Sequence, residues 1–366
     1  MVLDNTHNNK DGDNNRTTRH LSSMIQLEPC FREAIEKGEE DFPPDFILTP
    51  EALRDIFISS SKNPEWIQQL PPVIEQTWSI PNRNGVDRDD NDTNGSSIQL
   101  TMTRPLNTEL EILPVIIYLH GGGFVLGNEV THSRPRTELA VAAHAAVIFV
   151  HYNLAPEKKY PIALEECYNA ILWAADETNA QSIFVDPSKL ALVGDSSGAN
   201  LVAAITILAK QRQQDHCPSF MDNIQGQILF YPAVDTNFET DSYIQFAKGY
   251  DLTRELMQWF WDHYLPSNND DGDDIRQKST IAPLKASLEE LRDLPPALII
   301  TCEADVLRDE GEAYARKLLM AGVNVTAIRM LGTIHGFLDM PFFPCRAART
   351  ALDLAVVALD RFWKKK

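Results

Sequence analysis

Basic side chains are scarce in this chain: 33 Lys and Arg stand against 52 Asp and Glu, a formal charge of −19 at pH 7. Nucleic acid and anionic membrane surfaces both demand clustered Lys and Arg, so this balance disfavours either as a partner. Cysteine is equally sparse. Cys30, Cys167, Cys217, Cys302 and Cys345 are odd in number and scattered, with no CxxC pair, so no zinc knuckle or disulfide framework is expected. A reducing, cytoplasmic setting is the plainer reading. The first twenty residues lack an apolar h-region and do not read as a secretory signal. Only Leu139 to Pro156 is uncharged over a membrane-span length. It contains His144, His151, Tyr152 and Asn153, and it divides better into a helix end and a strand, so no integral membrane segment is expected.

What the chain does have is apolar mass. Of its 366 residues 43% are hydrophobic, enough for a sizeable core. Residues 1–20 read as a disordered leader. Residues 21–70 have a helical pattern, with Thr49-Pro50 as a start signal, a capping hydroxyl followed by Pro at the first helical position. Strands are expected at 74–80, 97–104, 113–119, 146–151, 190–194, 226–231, 296–302 and 323–330. Several are β-branched runs without alternation, which marks strands buried on both faces of a parallel sheet. Helical segments near 134–145, 161–177, 198–213, 308–321 and 345–363 alternate with them, as in a doubly wound α/β sheet. The first two strands are separated only by the polar loop Asn82–Ser96 and should form an antiparallel hairpin. Residues 235–285 break the alternation with an aromatic helix, TRELMQWFWDHY, and an acidic loop. The division is therefore a core over 71–234 and 286–366, with 21–70 and 235–285 left outside it.

Chemistry concentrates at three places. Gly194-Asp195-Ser196-Ser197-Gly198 sits between an apolar strand and an apolar helix, the strand-to-helix turn on which a strained nucleophilic serine is presented. A small-residue packing turn is the bland alternative. Ser197 is off the apex, so its backbone N–H is the useful part, and Asp195 reads as a structural hydrogen-bonding residue. His120-Gly121-Gly122-Gly123-Phe124 follows the third strand, where glycines let backbone N–H groups face an acyl oxygen. A phosphate cradle would want Gly-Lys-Ser/Thr, which is absent. Gly122, Gly123 and Ser197 are the expected oxyanion donors, and His120 a structural hydrogen-bonder. After the seventh strand Glu303, Asp305, Asp309 and Glu310 compete as the acid, and Asp305, just past the strand end, is best placed to turn back towards the sheet edge. Of nine histidines only His335 follows the last strand, between Gly332 and Gly336. The order Ser, acid, His along the chain completes a hydrolytic triad of Ser196, Asp305 and His335.

Together HGGGF (120–124), YNLAPE (152–157), KYPIALEE (159–166), GDSSGAN (194–200), ADVLRDEGEAYARKL (304–318) and HGF (335–337) resemble the hormone-sensitive lipase family of α/β-hydrolases. The likeness runs from about residue 74 to the C-terminus. It implies a mostly parallel eight-stranded sheet with helices on both faces, carboxylic ester hydrolysis, no cofactor or metal, and a helical cap. That cap would be built from the two segments left over, 21–70 and 235–285. It also implies that the first Asp of D-x-L-R-D, here Asp305, is the triad acid. Two positions depart from the family's habit: Asn153 stands where Arg is common, and Ser197 where Ala or Gly is. Relatives that act as receptors or lyases generally replace the nucleophile or the histidine, and neither is replaced here. Small or short-to-medium acyl esters are expected as substrates, with lipase, lactonase and amidase variants as alternatives. Phe124, Trp259, Phe260 and Trp261 would line the pocket or pack the cap. The sequence leaves oligomeric state open, a homodimer included.

Overall fold

The computed structural model describes residues 25–41, 48–62, 67–82, 97–266, 275–339 and 345–364. The leader, nearly all of the loop between the first two strands and the acidic run after the aromatic helix lie outside them. Eight strands form one sheet: β1 (Val73–Pro81), β2 (Ser97–Pro105), β3 (Leu113–Leu119), β4 (Ala146–His151), β5 (Val185–Asp195), β6 (Ile224–Phe230), β7 (Ala297–Ala304) and β8 (Val325–Ile334). Their spatial order is β1-β2-β4-β3-β5-β6-β7-β8. The expected hairpin is present, β2 running antiparallel to both β1 and β4, and the other pairs are parallel.

The central strands are unbroken apolar runs because helices cover both faces. Leu113 and Val115 to Leu119 on β3, and Leu190 to Val193 on β5, are fully buried. Helix α6 (Ser197–Gln214) lies over β3, β5 and β6 and packs against α4 (Ile162–Ala175). Helices α3 (Ser133–Ala142) and α11 (Arg346–Trp363) pack against each other, with α11 resting on β5, β6 and β7. Short α5 (Glu177–Ser182) leads into β5, and α10 (Arg308–Met320) joins β7 to β8. The edge strand β8 has a first part of exposed and half-buried residues and a buried end at Gly332–Ile334, longer at its C-terminus than its sequence pattern suggested.

Outside the sheet stand α1 (Pro29–Asp41), α2 (Pro50–Ser61), α7 (Asp241–Gln245), α8 (Arg254–Tyr264) and α9 (Leu288–Leu291). Thr49 caps α2 as expected, its Oγ1 accepting from Ala52 N at 3.2 Å. Thr253 does the same for α8, accepting from Leu256 N at 3.0 Å.

Strand order locates the site. From β3 the chain moves to β4 on one side and then to β5 on the other, so the order reverses between β3 and β5. Open α/β sheets bind ligands at the carboxyl ends of strands flanking such a switch point. The HGGG loop and the serine turn leave those two strand ends.

Candidate active site

Ser196 occupies the sharp turn between β5 and α6 with φ 52° and ψ −119°, a conformation that side-chain-bearing residues rarely adopt. Its backbone holds it there: Ser196 N donates to Phe230 O at 2.9 Å, and Asn200 N donates to Ser196 O at 3.1 Å. The turn thrusts Oγ out to 2.9 Å from His335 Nε2, and His335 Nδ1 lies 2.9 Å from Asp305 Oδ2. The other oxygen of Asp305 accepts from Leu307 N at 3.0 Å, which fixes the carboxylate plane. Ser196 and His335 keep 7% and 8% of their surface exposed while Asp305 keeps 1%, so a ligand can reach the first two but not the third. Burial pulls the His335 imidazolium down. Asp305, by charge and hydrogen bond, more than offsets this, with smaller help from Asp251 and Asp339, and the net pKa is raised.

The rival acids are engaged elsewhere. Glu303 Oε2 accepts from Gly332 N at 2.7 Å, and Asp309 Oδ2 accepts from Ser242 N at 2.7 Å. Glu310 is buried and accepts from Val234 N and Asp235 N at 2.7 and 3.1 Å. Burial raises its pKa well above the carboxylate range.

The glycine loop is held from several sides. Gly122 (φ 107°) and Gly123 (φ 61°) take left-handed angles that a side chain would resist, and a Cβ on Gly123 would strike the Phe260 ring. Leu126 N donates to Gly122 O at 2.8 Å, Gly121 N to Asp195 Oδ1 at 3.1 Å, and Ala155 N to Phe124 O at 2.9 Å. Phe124 N donates to Ser197 Oγ at 3.1 Å. Sequence reasoning used Ser197 only for its backbone; its hydroxyl also ties the glycine loop to the serine turn. From outside the sheet, Arg54 of α2 donates through Nε to Val125 O and through Nη2 to Ala155 O, both at 2.8 Å, while pairing with Glu157. His120 is buried, stacked on Tyr152 with ring centroids 4.2 Å apart, and burial beside His132 lowers its pKa to about 3. It is a neutral structural group.

Behind Ser196, His335 and Asp305 lies a cluster of which the sequence indicated only Asp195, as a structural hydrogen-bonding residue. Buried His132 Nε2 stands 3.3 Å from Asp195 Oδ2 and 3.5 Å from Asp339 Oδ2. Tyr118 OH donates to Asp195 Oδ1 at 2.9 Å, and Tyr231 OH to Asp339 Oδ1 at 3.2 Å. The Tyr231 ring meets the His335 ring edge to face at 4.8 Å. Burial disfavours the His132 cation, but Asp195 more than compensates and leaves its pKa raised. Asp195 itself is lowered: burial pushes it up, but His132 outweighs that. Asp339, pushed up by burial, rises to about 6. The only sequence signal was proximity, Asp195 preceding the serine and Asp339 following His335 closely.

Of the aromatic candidates, Phe260 lies over Gly123, and Phe124 stacks on Tyr264 at 3.7 Å with buried Trp261 beside it. Trp259 instead packs on His263 at 3.9 Å. Asn153, where the family commonly has Arg, donates through its N and Nδ2 to Glu166 Oε2 and Oε1 at 2.7 and 2.5 Å, a neutral donor in place of an ion pair.

A serine on a strained turn, a paired imidazole and a clamped glycine loop are the parts of an acyl-transfer site. Residues 116–339 match the family described as having the alpha/beta hydrolase fold. The chain is 35% identical over 246 residues to the carboxylesterase NlhH of Mycobacterium tuberculosis, covering 67% of this chain and 73% of that protein. It is 36% identical over 230 residues to an arylesterase of Saccharolobus solfataricus, covering 62% and 69%. A solved esterase structure from Rhizomucor miehei superposes with a TM-score of 0.83 at 46% identity, covering 93% of this chain and 98% of that one. The chain belongs to the α/β-hydrolase family, in its hormone-sensitive-lipase-like branch. Within that class it is a carboxylic ester hydrolase of the serine type. Among the described residues, no helix is long and apolar enough to cross a membrane.

Proposed function

We propose that the protein hydrolyses small or short-to-medium acyl esters through a Ser196–His335–Asp305 triad and an acyl-enzyme. The 2.9 Å approach of Ser196 Oγ to His335 Nε2 carries this reading. Ser196 Oγ attacks the ester carbonyl carbon and its proton passes to Nε2. The carbonyl oxygen becomes an oxyanion held by the N–H groups of Gly122, Gly123 and Ser197 in the oxyanion hole. The bond to the alcohol oxygen breaks, and Nε2 returns the proton to it. Water, deprotonated by Nε2, then attacks the acyl-serine; the carboxylic acid leaves and Ser196 recovers its proton. Asp305 fixes the tautomer and supports the imidazolium throughout. No step calls for a cofactor.

Residues 21–70 and 235–285 would form a cap over the acyl pocket. Phe260 against Gly123, and Tyr264 against Phe124, support that division, since they seat the aromatic helix on the glycine loop. All five cysteines are free thiols, in keeping with a cytoplasmic setting. Mixing the protein with a short-chain p-nitrophenyl ester should give a burst of p-nitrophenol, and a serine-directed organophosphate should label Ser196. A protein with neither burst nor label, or a Ser196→Ala variant that keeps both, rules the reading out.

A further inference from the structure

Away from the triad, the two ends of the described chain meet. The Sγ atoms of Cys30, on α1, and Cys345, at the cap of α11, and a carboxylate oxygen of Glu28 all lie within 4.8 Å of one another. Cys345 is buried; Glu28 and Cys30 are half-buried. Glu28 also lines an open cleft of about 390 Å³ with Gln26, Glu303 and Gly332. Spacing along the chain gave no hint of this group, since its members sit at opposite ends of the sequence. We propose that Glu28, Cys30 and Cys345 form a binding site for a thiophilic divalent cation of the zinc type, with water as the fourth ligand.

The donor chemistry suits a cation, since two thiols and a carboxylate are ligands that zinc takes. Tetrahedral zinc at about 2.3 Å from sulfur and about 2.1 Å from oxygen sets its donors about 3.5–3.8 Å apart, a small closing movement from the present positions. A divalent cation would bring one positive centre to both sulfurs and the carboxylate, three groups that otherwise offer one another no compensating charge. Ala348 N already donates to Cys345 Sγ at 3.4 Å, and the start of an 18-residue helix favours negative charge there. Binding releases two protons, one from each thiol, and frees the weak Cys345 contact to Phe337 O at 3.9 Å.

Position gives the site its consequence. Glu28 N donates to Gly332 O at 2.9 Å, at the end of β8 just before His335, and Cys345 opens the helix that follows the His335 loop. Coordination would therefore clamp α1 onto the segments flanking the catalytic histidine.

The test uses the full-length chain, reduced and stripped of metal, titrated with Cd2+ and separately with Zn2+. One Cd2+ per chain should bind with a thiolate-to-cadmium charge-transfer band in the ultraviolet and release of two protons, and Zn2+ should compete for it and raise the unfolding temperature. Cys30→Ser and Cys345→Ser should each abolish the band; the serine at 345 keeps a capping oxygen. Glu28→Gln, a half-exposed change that spares both thiols, should weaken binding about tenfold or more. Cys217→Ser, at an exposed thiol, should leave everything unchanged. No band in the parent chain, a band surviving both cysteine variants, or air oxidation to a Cys30–Cys345 disulfide without cation uptake would each overturn the site. Turnover of a p-nitrophenyl ester in the same samples reports the triad separately.

Discussion

At the level of single residues, the chemistry was legible where one short segment carries it. The serine turn and the glycine loop are local, since each needs particular residues within five positions of strand end. Asp305 was separable from Glu303, Asp309 and Glu310 by its place relative to β7, and the structure finds those three bound to other groups. The Ser197 hydroxyl was not legible, because its partner Phe124 N belongs to a distant loop. Removing it in Ser197→Ala frees one loop donor, worth about 1 kcal/mol. Turnover should fall by about fivefold, with little change in KM, in steady-state kinetics on a short p-nitrophenyl ester; unaltered turnover would leave the hydroxyl without a role. Asp305 carries more. Because its carboxylate raises the His335 pKa, and only neutral Nε2 can accept the serine proton, kcat/KM should fall as pH drops through a value above the ordinary ~6.5. Asp305→Asn should shift that acidic limb to lower pH and cut kcat by about 10⁴. A pH–rate profile with its limb unmoved in the variant would refute the assignment.

Secondary-structure elements were readable in proportion to their burial. β3, β4 and β7 were close to complete from their apolar runs, whereas β8 mixes exposed and half-buried positions along its first part and gave a weaker signal. How α2 meets the core could not be read, because Arg54 contacts backbone carbonyls, and a carbonyl has no sequence signature. Yet those carbonyls, Val125 O and Ala155 O, belong to the chain just beyond the glycine loop and to the segment whose N–H binds Phe124 O. Arg54→Met keeps the length and removes the donors. Two carbonyls then lose charge-assisted partners at about 1.5–3 kcal/mol each in the fully buried limit, reduced here because Arg54 is partly exposed. Turnover should drop by about tenfold on a short ester while the unfolding temperature moves by only a few degrees. If turnover is unchanged, α2 does not hold the loop.

Across the whole molecule, the sheet brings Asp195 before the serine, His132 at the start of α3 and Asp339 after His335 into one buried cluster, a juxtaposition no local pattern encodes. This cluster ties stability to pH. Asp339 has a folded pKa of about 6, raised by burial above the ~3.9 of an unfolded Asp. The fold therefore binds its proton more tightly than the unfolded chain does. The contribution is fully present below about pH 3.9 and is lost as pH rises through about 6. Above that, the folded protein carries a buried carboxylate that the unfolded chain would hold in water. Asn in its place imitates the protonated form at every pH and still offers an oxygen to Tyr231 OH. Asp339→Asn should thus unfold at nearly the parent temperature near pH 5 and become the more stable of the two near pH 8. The gain is of order 1–3 kcal/mol from the two-unit shift. It should also lower the His335 pKa slightly, since Asp339 helps to raise it, moving the acidic limb of activity down. Thermal unfolding of both proteins at the two pH values decides the matter: a difference that stays constant, or grows towards acid, would mean that His132 holds Asp339 ionised in the fold.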